Sequence, residues 1–108
     1  MTRCVMRPVL LRSLMIRSFA DDETSLVWSG RRSRKLPSDV QTVALRKLRM
    51  INQSRVISDL KVPPGNRLEL LRGNRAGQHS IRINDQWRVC FVWKDGGAED
   101  VEIVDYHE

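Results

Sequence analysis

Histidine and cysteine are scarce in this chain, two of each in 108 residues. No two of them stand at zinc-ligand spacing, so neither a metal nor any other cofactor is expected. Cys4 and Cys90 are far apart and make no disulfide framework, which fits a reducing cytosol and predicts a cytoplasmic protein. Long apolar runs are missing too. No purely aliphatic run exceeds three residues, as in Val9-Leu10-Leu11, whereas a spanning helix needs about 20. A membrane partner is therefore not expected. The length allows one core and no second lobe. With 41% hydrophobic and 30% charged residues, wholesale disorder is also excluded.

Acid is short where base is plentiful. Residues 31–94 hold fifteen basic and four acidic side chains, while residues 95–108 hold six acidic and none basic. The whole chain carries +6, and four of its nineteen cations are Lys, the rest Arg. Arginine is planar, always charged and forked, which suits two-point contact with phosphate. A basic body on a small domain points to a polyanion, nucleic acid first, with a merely solvated charged surface as the plainer alternative.

Residues 1–14 differ from the rest. They hold three Arg and no acid, with Met6, Leu10 and Leu14 at helical spacing. Two readings stand: a short basic targeting segment, or an extension from an upstream start, with translation proper beginning at Met15. We favour the second, which makes residues 15–108 the domain. Residues 16–19 then alternate as a short strand does. Asp21, Asp22 and Glu23 suit the first turn of a helix running to Trp28, with Gly30 as its stop. Residues 31–35 form a charged loop.

The strongest helix signal covers residues 38–53. Ser38 is the expected cap, and Val40, Ala44, Leu48 and Ile51 share one apolar face. Arg46 and Arg49 share another. One more turn is expected over residues 56–60. Pro63, Pro64 and Gly65 should then end all helical structure.

The remainder reads as strands: residues 67–72, 79–83, 87–93 and 101–104, joined by turns at 73–77, 84–86 and 95–97. Short connections predict antiparallel neighbours. Helices followed by a strand meander give an α+β domain, helices on one sheet face, with Arg82 or Arg88 on the other, partly open face. Trp87, Phe91 and Trp93 read as core, and His79 as a strand or rim residue.

Several stretches resemble one family when taken in order. They are residues 15–19, Asn66-Arg67-Leu68-Glu69-Leu70-Leu71-Arg72-Gly73, residues 80–91 with Trp87-Arg88-Val89-Cys90-Phe91, and the terminal Asp105-Tyr106-His107. The set resembles the HigB toxins of the RelE/ParE superfamily, within them the GraT-like branch, over residues 15–108. The resemblance implies a small RelE-like α+β fold, with N-terminal helices on a curved antiparallel sheet. It implies a type II toxin that cleaves mRNA in the ribosomal A site. It implies a HigA-like antitoxin with an Xre-type helix-turn-helix, and operator DNA reached only through that antitoxin.

The chemistry follows from residue types. Metal-free RNA cleavage uses the ribose 2′-hydroxyl as nucleophile. It needs a base, cations for the phosphorane charge and an acid for the 5′-oxygen. His107 titrates near neutrality and suits acid or base. Asp105 can orient it or act as the base, and Tyr106 can stack or donate. Arg72 and Arg88 should meet near one sheet face and suit phosphate. Arg75, Arg82, Arg46 and Arg49 are the further expected RNA contacts. The family pattern usually has Lys at the position of Arg72 and often His at that of Glu69. Glutamate cannot be a cation, so here it either substitutes for the base or weakens the site. Two rivals remain: a non-catalytic ribosome- or RNA-binding inhibitor, which Glu69 keeps open, and a ParE-like gyrase poison, against which Asp105-Tyr106-His107 argues.

Overall fold

Asp21 starts the first helix as its chemistry dictates. Its side chain accepts from Thr24 N at 3.0 Å, and helix α1 runs Asp22–Trp28 before Gly30 turns the chain with φ 84°. The computed structural model that shows this describes residues 15–106. The expected apolar spacing of Met6, Leu10 and Leu14, and the candidate His107, lie outside the described residues.

Helix α2 spans Ser38–Gln53, the range the periodicity predicts, and buries Val40, Ala44, Leu48 and Ile51. Its cap differs from expectation. Pro37 is the capping residue, with no side-chain cap bond, and Ser38 is already inside the helix. The Pro37 carbonyl accepts the first helical bond from Gln41 N, a task that needs no hydroxyl. The basic loop before α2 is pinned at Ser33. Gln41 accepts from Ser33 N at 2.9 Å and donates to the Ser33 and Leu36 carbonyls, and Ser33 Oγ donates to Glu23.

After α2 the chain makes a 3-10 turn over Ile57–Lys61, near the expected place. The two prolines do not end helical structure. A second single turn, Pro64–Asn66, begins on a proline, and a third covers Gly73–Arg75. Proline is tolerated at a first helical position because no donor is needed there.

Four strands follow: β1 Glu69–Leu70, β2 His79–Arg82, β3 Trp87–Lys94 and β4 Gly97–Asp105. They form one sheet in chain order, each pair antiparallel. The architecture is α+β, as expected. Strand β1 is shorter than predicted, because Arg67 caps the turn before it in the left-handed region and Arg72 leads into the turn after it. Strand β4 is longer than predicted and begins at Gly97. The hairpin before it needs only Asp95 and Gly96, with φ 52° and 77°, the primed turn that matches strand twist.

Residues 16–19 add a partial edge beside β4, running parallel through bridges Ile16↔Ala98 and Phe19↔Val101. Gly97 admits this neighbour, since a Cβ there would stand 2.7 Å from the Arg17 guanidinium and 3.0 Å from the Met15 carbonyl. Beyond Phe19 the β4 edge is sealed by α1. Thr24, fully buried, accepts from Ile103 N at 2.9 Å through Oγ1.

An irregularity in the pairing keeps β4 facing inward. Between Cys90↔Glu102 and Val92↔Glu99, β4 carries one extra residue, and Asp100 takes φ 52°. Ala98, Val101 and Ile103 therefore all reach the core, although strict alternation would send Val101 and Ala98 to opposite faces. They pack with Leu48, Ile51, Ile81, Val89 and Phe91 under the helices.

Candidate nucleic-acid interface

Residues opposite each other in antiparallel strands share a face. Arg82 opposes Arg88, Arg88 opposes Val104, and Ser80 opposes both Glu69 and Cys90. This is the face away from Ile81, Val89 and Ile103, and so away from the helices. The expected arginine face exists. Its centre is closed rather than open: Ser80 and Cys90 are fully buried. Arg75 crosses toward this region, donating to Gln78 Oε1 at 3.0 Å and pairing with Glu102 Oε1 at 3.4 Å. Burial pushes the Cys90 thiol up from its ordinary range. Arg75 and Arg88 oppose that shift and Glu102 adds to it. The thiol therefore stays protonated and is no nucleophile.

Arg88 is the hub. Its side chain is 14% exposed and donates to Ser80 Oγ at 3.0 Å. It pairs with Glu69 Oε1 at 3.3 Å and lies 5.3 Å from the centre of the Tyr106 ring. The cation–aromatic contact and the ion pair hold the guanidinium in one place, which a phosphate site needs.

Beside this hub is a cleft of about 370 Å³ lined by Arg67, Arg82, Asn84, Asp85, Gln86, Arg88 and Tyr106. Three guanidinium groups face one carboxylate, so the cleft is cationic. The β2–β3 turn builds its rim. Asn84 Oδ1 accepts from Gln86 N and Trp87 N, both at 2.8 Å, and Arg82 pairs with Asp85 at the tip.

Of the expected catalytic residues, the structure joins Glu69 and Tyr106 through Arg88. Asp105 is beside the cleft rather than in its lining. It ends β4 on the face opposite Tyr106 and accepts from Gln86 Nε2 at 3.2 Å on each carboxylate oxygen. His107 lies outside the described residues. Arg72 does not meet Arg88. It stands beyond β1, exposed, at the start of the Gly73–Arg75 turn, because β1 ends too early to carry it onto the sheet.

Of the expected RNA contacts, Arg82 and Arg88 line the cleft and Arg75 lies further along the same face. Arg46 and Arg49 are exposed on α2, on the other side of the sheet. Arg46 is the chain neighbour of the buried Lys47. Burial, then Arg46 and Arg82, hold the Lys47 ammonium below its ordinary 10.5. Among the described residues no hydrogen bond or ion pair joins Arg46 or Arg49 to the cleft.

Sequence reasoning missed Arg67, Asn84, Asp85 and Gln86 in the cleft, and the buried pair behind it. Lys47 Nζ donates to Asn66 Oδ1 at 2.5 Å, and Asn66 Nδ2 donates to the Leu60 carbonyl at 3.2 Å. The signal available was the run Pro63-Pro64-Gly65-Asn66, a rigid corner more than a terminator. A second depression, of about 300 Å³, lies between α1 and α2 and carries Arg31 and Arg32. No helix among the described residues is long and apolar enough to cross a membrane.

Comparison with known proteins bears on this arrangement. The family model for the RelE-like toxin of type II toxin-antitoxin system HigB matches residues 15–107. Toxin HigB-1 of Vibrio cholerae is 46% identical over 68 residues, which are 63% of this chain and 72% of that protein. An uncharacterized protein of Haemophilus influenzae is 43% identical over 67 residues, 62% of this chain and 66% of that one. The matched range takes in both helices, all four strands and every cleft residue. The chain belongs to the HigB family of RelE-like toxins of type II toxin–antitoxin systems.

Proposed function

We propose that this toxin is a ribosome-dependent mRNA endonuclease acting without a metal, with the Arg88 cleft as its site. The observation that carries the reading is the Glu69–Arg88–Tyr106 cluster, two of whose members, Arg88 and Tyr106, line a cationic cleft. A carboxylate, a fixed guanidinium and an aromatic ring supply a proton acceptor, a phosphate ligand and a stacking surface.

In the proposed reaction Glu69 takes the proton of the ribose 2′-hydroxyl. The 2′-oxygen bonds to the adjacent phosphorus, and Arg88 holds the negative charge of the phosphorane. The bond from phosphorus to the 5′-oxygen then breaks, and His107 gives that oxygen a proton. The products are a 2′,3′-cyclic phosphate and a 5′-hydroxyl. Asp105 has the role of orienting the C-terminal segment through Gln86, and Tyr106 that of stacking on a base. Arg72, Arg75 and Arg82 act as phosphate contacts around the site, and Arg46 and Arg49 as contacts to ribosomal RNA on the helical side.

A type II toxin has an antitoxin partner. We take that partner to be HigA-like with an Xre-type helix-turn-helix, with operator DNA engaged through it, and the working compartment to be the cytoplasm. A second reading, a non-cleaving ribosome-binding inhibitor, draws on the carboxylate already seated on Arg88. Translating ribosomes with a defined mRNA separate the two. Cleavage with cyclic phosphate ends supports the nuclease, and stalled but intact mRNA supports the inhibitor.

A further inference from the structure

Arg67 has a backbone conformation that side chains rarely adopt. Its φ and ψ are 46° and 57°, and nothing about arginine favours them. The surroundings impose them. Pro63 and Pro64 fix the approach, and the Arg67 amide closes the turn on the Pro64 carbonyl. Asn66, fully buried, is clamped between Lys47 of α2 and the Leu60 carbonyl. A non-glycine residue held in such a region, at the edge of a cleft, is where function is to be sought.

The charge pattern of the cleft says what that function is. Arg82 already carries the Asp85 carboxylate, and Arg88 carries that of Glu69. Arg67 is exposed, and among the described residues its side chain has no ion pair or hydrogen-bond partner. It is thus the uncompensated guanidinium of the three that line the cleft. A dianionic or polyanionic ligand entering there meets two guanidinium groups only by displacing carboxylates, and meets Arg67 without that cost.

We propose that Arg67 is a phosphate-binding residue of this cleft, the first anchor for the backbone of single-stranded RNA. The proposal rests on the cleft being an RNA site, as argued above, and not on cleavage. An acidic peptide would satisfy the same guanidinium. The planar Tyr106 ring against Arg88 favours a ligand that brings a base as well as a phosphate.

The test is an NMR titration of the full chain with a short single-stranded deoxyoligonucleotide, which lacks the 2′-hydroxyl and cannot be cut. The expected result is amide shifts at residues 66–68, 82–88 and 106. Arg67→Gly should weaken binding by roughly tenfold, the worth of one charged hydrogen-bond contact. It should flatten the salt dependence by about one unit. Glycine is at ease in the left-handed region, so the thermal midpoint of that variant should hold or rise. This separates lost binding from lost folding. Arg67→Lys should keep most of the salt slope. Unchanged affinity in Arg67→Gly overturns the proposal, as do shifts confined to the Arg31–Arg32 depression or no binding by the wild type. So does an acidic peptide that shifts these amides when the oligonucleotide does not. A chain that binds through Arg67 yet leaves mRNA whole on ribosomes overturns the nuclease reading and keeps this one.

Discussion

Arg88 and Glu69 meet at 3.3 Å although they lie on strands that do not touch. Strand β2 stands between them, and Ser80, which opposes Glu69, accepts from the same Arg88 nitrogen at 3.0 Å. The pair thus reaches across β2 on one face, and a slip in either the β1–β2 or the β2–β3 register would separate it.

This geometry predicts a split in the kinetics of Glu69→Gln. Removing the carboxylate frees Arg88 for phosphate, so the apparent affinity for RNA should rise. Loss of the proton acceptor should lower the single-turnover rate by roughly 10²–10⁴-fold. Glu69→His restores an acceptor and should recover part of the rate. A Glu69→Gln variant that cuts faster than the wild type would show that the carboxylate only blocks Arg88.

The Lys47–Asn66 pair predicts a folding phenotype. Asn66→Ala leaves a buried ammonium without its acceptor and should cost about 2–3 kcal/mol, read from urea unfolding. The double variant with Lys47→Met should lose clearly less than the sum of the two singles, because the stranded charge is gone. Additive losses would mean that the two side chains do not depend on each other.

His79 predicts a pH dependence. Burial lowers its imidazole from the ordinary 6.5, and its buried Nδ1, beside the Phe91 ring, has no hydrogen-bond partner among the described residues. As pH falls below 6.5 the unfolded chain takes up the proton first. Stability present above that pH is then lost down to the folded value, where the loss levels off. Replacing the imidazole with a ring that does not titrate, His79→Phe, should remove that acid-side slope. An identical slope in the variant would assign it to other groups.

Strong local signals were legible in the sequence. The apolar spacing of Val40, Ala44, Leu48 and Ile51 gave helix α2 its true limits, and alternation gave β3. The site was only half legible. Glu69, Arg88 and Tyr106 could each be singled out from the order of motifs, but the Arg88–Tyr106 contact is a tertiary one and Glu69 joins them only through the Glu69↔Ser80 register, which the loop at residues 73–77 sets. Arg72 was misplaced for the same reason: where β1 stops depends on the turns at Pro64–Asn66 and Gly73–Arg75. Asp100 was illegible, since an extra residue in a strand leaves the hydrophobic pattern almost intact. Arg67 was hidden because no propensity places arginine in the left-handed region. The proline turn and the Asn66 clamp, a long-range contact to α2, do so together.

Residues 1–14 are proposed to add little to the fold. Chains starting at Met1 and at Met15 should unfold within about 1 kcal/mol of each other, the scale of ordinary surface changes. A larger loss on trimming would show that Met6, Leu10 and Leu14 pack against the domain.

The central claim is that the Arg88 cleft cuts mRNA on the ribosome. It is tested most directly by single-turnover cleavage of a defined mRNA in programmed ribosomes, wild type beside Arg88→Ala, with the product ends identified. The account predicts 2′,3′-cyclic phosphate ends from the wild type. It predicts a rate roughly 10²–10³-fold lower from the variant, the worth of one positioned charge-stabilising group. Equal rates from the two chains, or intact mRNA under wild-type protein that still arrests translation, would contradict it.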